Sequence, residues 1–242
     1  MARPQAHVVV AAELELFLRP SVRGLPVPVI CDGVSTLGHV VESVGVPLPE
    51  VGSLLVNGQL AERSYRPREG DAIEVTPVSR PQQLDEPRFL LDVHLGAVAR
   101  RLRLLGIDTA YHRYADDDAL IDEANADERV LLTQDRGLLR RRKLWLGAYV
   151  RGASTDAQLA DVLGRFAPPL APWTRCTACN GMLAPARKAD VESQLEPGTR
   201  RTYASFARCT TCGRAYWRGA HSKRLEATVD AAVRIVSAVR RQ

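Results

Sequence analysis

Apolar positions in this chain fall into short runs and helical stripes, and their spacing predicts the elements in order. Residues 7–18 (His-Val-Val-Val-Ala-Ala-Glu-Leu-Glu-Leu-Phe-Leu) and 27–31 read as two strands joined by a turn around Arg23-Gly24-Leu25-Pro26. Leu37, Val40, Val41 and Val44 recur at helical spacing and Gly45 stops them, so Thr36 to Val44 reads as a short helix. Ser53 to Val56, the tight-turn signal Asn57-Gly58, and Ala72 to Thr76 give two more strands. Residues 79–87 are polar, bracketed by Pro81 and Pro87, and read as a linker. A strand at Phe89-Leu90-Leu91 follows. Leu95, Val98, Ala99, Leu102 and Leu105 then form one apolar helix face closed by Gly106. A helix from about Asp118 to Ala126, a strand at Val130 to Thr133, a strand at Ala148 to Val150 and a helix from Thr155 to Phe166 complete the middle third. Strands alternating with helices predict a parallel, doubly wound sheet. Pro168, Pro169 and Pro172 mark its end. Leu225, Val229, Val233, Val236 and Val239 stripe a terminal helix from Ser222. The chain thus divides into residues 1–80, 87–168 and 171–242.

Bulk composition narrows the class. An apolar fraction of 45% and a charged fraction of 25% over 242 residues are ordinary for a globular protein. No run approaches the roughly 18 apolar residues of a membrane span. The apolar stretch before Glu13 is too short for a signal-peptide core. A cytoplasmic protein without membrane association is expected. The net charge of +5 is unevenly spread. Residues 1–80 carry 7 basic and 9 acidic side chains, residues 81–170 carry 13 and 14, and residues 171–242 carry 13 and 5. An acidic centre beside a basic third suits a polyanion gripped by one part and processed by another.

The acids lie at strand ends. Phe89-Leu90-Leu91 ends in Asp92, the run Asp116-Asp117-Asp118 follows the Ile107–Tyr111 segment, and Val130–Thr133 ends two residues before Asp135. In a parallel sheet these ends share the edge where open α/β sheets bind ligands. Two carboxylates about 4 Å apart repel by about 4 kcal/mol at an effective dielectric near 20, so three together call for a cation. Mg²⁺ and Mn²⁺ prefer oxygen ligands and lower the pKa of bound water. The competing reading is local: Asp92, Asp118 and Asp135 each precede a helix, where Asp is a favoured N-cap. Spacing does not separate Asp116, Asp117 and Asp118. Asp156 lies near the same edge after the next strand, and His94 is near Asp92 in sequence.

Cys176-x-x-Cys179 and Cys209-x-x-Cys212 have the pattern of a four-cysteine zinc ribbon, with 29 residues (180–208) between the pairs and a turn expected at Glu196-Pro197-Gly198. Four thiolates leave no open position, so this zinc is structural. Cys31 reads as a small buried side chain. Arg175, Arg187, Lys188, Arg200, Arg201, Arg208, Arg214 and Arg218 interleave with Tyr203, Phe206, Tyr216 and Trp217, an RNA-facing pattern of charge and stacking rings. Its bland counterpart is rings packed on the knuckles and solvated arginines. Arg100, Arg101 and Arg103, read as lying off their helix's apolar face, join the expected RNA contacts with Arg136 and the run Arg140-Arg141-Arg142-Lys143.

The first 80 residues, with Val56-Asn57-Gly58 and Glu69-Gly70-Asp71, resemble the β-grasp fold of ubiquitin and the small sulfur carriers. No Gly-Gly tail ends this segment, so a docking module for a protein partner is expected rather than conjugation. From Phe89 to about Leu225 the chain resembles the PIN-like ribonucleases, and within them the Mut-seven C-terminal ribonuclease family. The resemblance rests on Phe-Leu-Leu-Asp-x-x-Leu-Gly-x-x-Ala-Arg-x-Leu-Arg-x-Leu-Gly, Leu-Leu-Thr-x-Asp-Arg, both Cys pairs, and Tyr216-Trp217-x-Gly219-x-His221. It implies an α/β protein: a PIN-like parallel-sheet nuclease domain, an N-terminal β-grasp domain, and a C-terminal zinc ribbon plus helix. It implies a metal-dependent endoribonuclease in which Asp92, Asp117 and Asp135 hold Mg²⁺ or Mn²⁺ and Thr133 orients Asp135 or the phosphate. Aligning Leu120-Ile121 and Ala124 puts the middle acid on Asp117. Arg214, Trp217 and His221 join the RNA contacts, and structured RNA such as tRNA is the expected substrate. Gln134 departs from the pattern, which has Arg there. The runner-up readings are a non-catalytic RNA-binding adaptor and, more weakly, a phosphatase-type hydrolase.

Overall fold

The structure, a computed structural model, describes residues 4–219 and 222–241. In chain order the strands and helices are β1 (Gln5–Val10), β2 (Val27–Ile30), α1 (Leu37–Val44), β3 (Val51–Val56), β4 (Gln59–Leu60) and β5 (Ala72–Pro77). Then come β6 (Phe89–Leu91), α2 (Gly96–Leu104), β7 (Thr109–Tyr111), α3 (Asp117–Ala126), β8 (Val130–Thr133), α4 (Arg136–Leu139), β9 (Gly147–Tyr149) and α5 (Thr155–Phe166). The last are β10 (Leu183–Ala186), α6 (Lys188–Val191), α7 (Pro197–Thr202), β11 (Phe206–Cys209), β12 (Ala215–Tyr216) and α8 (Ser222–Val239). Two compact units result: one from residues up to Ser79 together with Asp135–Tyr149, the other from Arg80–Gln134 together with Val150 onward.

The first unit is a mixed sheet in the order β2-β1-β5-β3-β4 with α1 packed into its core, the β-grasp arrangement. β1 pairs parallel to β5 and antiparallel to β2. Strict alternation along β1 buries Ala6, Val8 and Val10 against Leu37, Val41 and Ile73. Asn57 (φ 52°) and Gly58 (φ 76°) form the two-residue turn between β3 and β4 that the sequence predicts. The first strand is shorter than expected. It ends at Val10, and Ala12–Phe17 coils into a 3-10 helix because Leu14 and Phe17, three apart, are the residues that reach the core. Asp71 ties the unit together, accepting from Tyr65 Oη (2.9 Å), Asn57 Nδ2 (3.0 Å) and the Arg68 N–H (2.8 Å).

Residues 135–149 belong to this unit through donors aimed at two of its backbone carbonyls and at one carboxylate. Arg136 donates to Leu16 O at 2.7 Å and lies over the Phe17 ring, and Arg140 donates to Glu42 O at 2.7 Å. The Tyr149 N–H donates to Glu50 Oε1 at 2.8 Å, and its ring meets Phe17 edge-on at 5.2 Å.

The second unit is built on parallel strands in the order β7-β6-β8. Every residue of β6 and β8 is buried, as in strands covered on both faces. Leu120, Ile121 and Ala124 of α3 are buried against β6 and β8. Val98, Ala99 and Leu102 of α2 and Leu159, Val162 and Leu163 of α5 are buried where those two helices pack together, with Phe166 tilted against Phe89 at 5.1 Å. Gly106 (φ 81°) ends α2 where any side chain would collide with the Ala171 carbonyl. Downstream, β10-β11-β12 form a small antiparallel sheet. The turn expected at Glu196-Pro197-Gly198 is the start of α7, with Pro197 in its first turn. The α8 stripe is only partly used: Ala232 and Val236 are buried, while Leu225 and Val233 stay exposed. Among the described residues no helix is long and apolar enough to cross a membrane.

Candidate active site and metal centre

Asp92 follows the last residue of β6 and is only 6% exposed. Its backbone N–H continues the ladder to Leu132 O at 3.0 Å, which sets it level with the end of β8. There Thr133, fully buried, donates its hydroxyl to Asp92 Oδ2 at 2.6 Å. Asp92 does not cap the helical turn that follows it, and no basic side chain pairs with it among the described residues. A buried carboxylate without a cationic partner is expensive unless an ion neutralises it.

The other acids are placed differently. Asp116 is the N-cap of α3, its Oδ1 accepting from the Ala119 N–H at 2.8 Å, and Asp117 and Asp118 are exposed in the first turn. Asp135 caps α4, accepting from the N–H groups of Gly137 (2.6 Å) and Leu138 (3.3 Å). The capping reading therefore holds for Asp135 and not for Asp92, and at α3 the cap is Asp116 rather than the expected Asp118. Asp156 is exposed and paired with Arg101. His94 is exposed in the 3-10 turn after Asp92. Gln134, the departure from the family pattern, donates through Nε2 to Val150 O (3.0 Å) and Gly152 O (2.9 Å), pinning the end of β8.

The cysteines do converge. Cys176 and Cys212 Sγ atoms are 3.7 Å apart, those of Cys179 and Cys209 are 3.5 Å apart, and all four lie within 4.8 Å of one another. Zn–S bonds of about 2.3 Å in a tetrahedron put sulfurs about 3.8 Å apart, so the cage fits zinc. Within this unit the described acidic residues form no comparable set. Each knuckle ends on a left-handed residue, Asn180 (φ 72°) or Gly213 (φ 73°), and the N–H groups of Cys179 and Cys212 turn back onto the sulfurs of Cys176 and Cys209. A side chain at Gly181 would collide with Thr211 and crowd Cys209 Sγ at 3.0 Å. Burial opposes ionisation of Cys176, yet the Tyr216 hydroxyl at 3.0 Å and the N–H groups of Cys179 and Ala178 bring its pKa down to about 6. Burial, with the neighbouring sulfurs, pushes Cys179 up to about 12. Without a cation the four thiolates do not form together.

Several arginines expected to face RNA are otherwise engaged. Arg103 is 4% exposed and donates to Thr109 O (2.8 Å), Ala178 O (2.7 Å) and Thr177 O (3.4 Å). It fastens the first knuckle to β7, because position 103 lies one helical turn after Ala99 and shares its inward face. That i+4 step was the available signal. Beside it, Asp108 accepts from Arg129 (2.6 Å) and Asn180 (2.9 Å) and pairs with Arg175 (3.2 Å), a network the sequence reading missed. Arg136 and Arg140 serve the first unit's carbonyls, as described above. Arg100, Arg141, Arg142, Lys143, Arg214 and Trp217 are exposed. His221 lies outside the described residues.

Comparison with known families follows this division. The Mut7-C RNAse domain model matches residues 87–229, more than half of the chain, and the Mut7-C ubiquitin model matches residues 3–83. No curated protein and no solved structure matches the chain. With its buried strand-end aspartate, its four-cysteine cage and its ubiquitin-like leading domain, the chain belongs to the Mut7-C RNase domain family.

Proposed function

We propose that the protein is a Mg²⁺- or Mn²⁺-dependent endoribonuclease, built in three parts over residues 1–80, 87–168 and 171–242. Structured RNA such as tRNA is its proposed substrate, and the β-grasp part its docking site for a protein partner. The observation that carries this reading is Asp92: a buried carboxylate at the C-terminal edge of a parallel sheet, held by Thr133 and left without a basic partner. Asp92 is the group that fits a divalent cation, with Asp117 and Asp135 as its proposed co-ligands. When bound, such an ion lowers the pKa of a water and offsets charge building on the phosphate. Thr133 fixes the rotamer of Asp92, so one carboxylate oxygen stays aimed at its hydroxyl and the other faces away from it. The zinc cage holds its own lobe and donates nothing to the reaction.

A second reading, an RNA-binding adaptor without catalysis, is favoured by one observation: the Asp135 carboxylate bonds the start of its own helix. Labelled RNA, with Mn²⁺ added or withheld, separates the two. The nuclease reading expects Mn²⁺-dependent cutting that an Asp92→Asn/Asp135→Asn double variant loses while still binding RNA. Binding without cutting by the unaltered protein establishes the adaptor.

A further inference from the structure

We infer that the zinc lobe carries a subsite for one unpaired nucleobase, a cavity walled by Trp173, Tyr203 and Trp217. This deepens the RNA-directed reading above and rests on it. The cavity measures about 590 Å³, within the range of roughly 300–1,000 Å³ for small-molecule sites. A neighbouring cavity of about 500 Å³ shares these three rings and Leu225. Trp217 is 38% exposed and lines both cavities instead of lying in a core. Gly219 permits this arrangement: a side chain there would stand 2.9 Å from Trp217 Nε1 and 3.7 Å from the Tyr203 hydroxyl.

The chemistry of the walls selects the occupant. Among the described residues no Asp or Glu lines either cavity, so a polyanion meets no like charge there. Arg218 lies over Trp173 at 5.2 Å and has no carboxylate or carbonyl partner among the described residues. It is therefore placed to meet a phosphate beside a stacked base. Arg175, by contrast, is held by Gly106 O, Asn180 O and Asp108. The Tyr203 hydroxyl and the Trp217 indole N–H also lack partners among the described residues, leaving polar groups for a base edge. Rings for stacking, a free guanidinium and unengaged polar edges describe an unstacked nucleotide better than an apolar peptide. A base already paired in a duplex hides the faces these rings require.

The test uses the full-length, zinc-loaded protein without Mg²⁺ or Mn²⁺, so that no RNA is cut. Affinities are compared for a single-stranded oligoribonucleotide and for an abasic ribose-phosphate oligomer of equal length. The wild-type protein is expected to prefer the base-bearing strand. Trp217→Ala is expected to weaken that strand's binding by about 5- to 150-fold while leaving the abasic oligomer unchanged. Trp217→Phe is expected to keep most of the preference. No preference in the wild type overturns the inference, as does an equal loss on both oligomers. Displacement by an apolar peptide but not by a nucleoside monophosphate also overturns it. If Trp217→Ala misfolds, the wild-type preference and Trp217→Phe still decide. Because nothing is cut, failure here leaves the nuclease reading intact, and a protein that never cuts RNA can still pass.

Discussion

The cysteines and the strand-end acids pose the same electrostatic problem, like charges that repel when brought together, and the chain handles them in opposite ways: the cysteines converge, and the described acids form no comparable set. Each cysteine pair is assembled by its own four-residue turn, with backbone N–H groups returning to the sulfur, so only two local units have to meet. The aspartates stand at separate helix starts, and a helix start competes for a carboxylate. Asp116 and Asp135 accept that offer, whereas Asp92 is withheld from it by burial and by Thr133. A sulfur has no such rival. Spacing is therefore strong evidence for a thiolate site and weak evidence for a carboxylate site.

The sharpest way to press the contrast is to remove zinc, or to make Cys209→Ser. Structural zinc sites contribute on the order of 10 kcal/mol, so β10-β11-β12 should unfold, read as lost near-ultraviolet dichroism and lost zinc stoichiometry. A lobe that keeps its fold would show that packing around Val191, Leu195 and Phe206 suffices. Next in size is Arg103→Met, which leaves the Thr109, Thr177 and Ala178 carbonyls without their buried donor. Losing such a charged partner costs about 3 kcal/mol, measured by urea unfolding, and should weaken zinc retention as well. Thr133→Val then tests the acid edge, since it strips the donor from a buried carboxylate at a cost of about 1–3 kcal/mol. The expected signature is a larger fall in RNA cleavage than in stability. The smallest effect is reserved for Asp116→Ala, a lost helix cap worth about 1 kcal/mol, with cleavage unchanged. Abolished cleavage there would move the middle acid from Asp117 to Asp116.

Much of the fold was legible because it follows local rules. The apolar triplet Phe89-Leu90-Leu91, the α2 stripe and the Asn57-Gly58 turn declare themselves within a few residues. The cysteine cage was equally plain from two Cys-x-x-Cys pairs. Less legible were residues whose neighbours come from far along the chain. Arg103 looked like another surface arginine because its carbonyl partners, Thr177 and Ala178, lie more than seventy positions away. Arg136 and Arg140 looked like RNA contacts for the same reason, since their acceptors are Leu16, Phe17 and Glu42. Charge is visible in a sequence, but its destination is not.

The membership of residues 135–149 in the first unit has a practical corollary for anyone shortening this protein. A fragment starting at the proline-bracketed hinge would keep the tyrosine at 149 but discard the phenylalanine whose ring it meets. Arg136 and Arg140 would lose their acceptors at the same stroke. Such a truncation should be sticky and prone to self-association, and inactivity in it would say little about the intact protein.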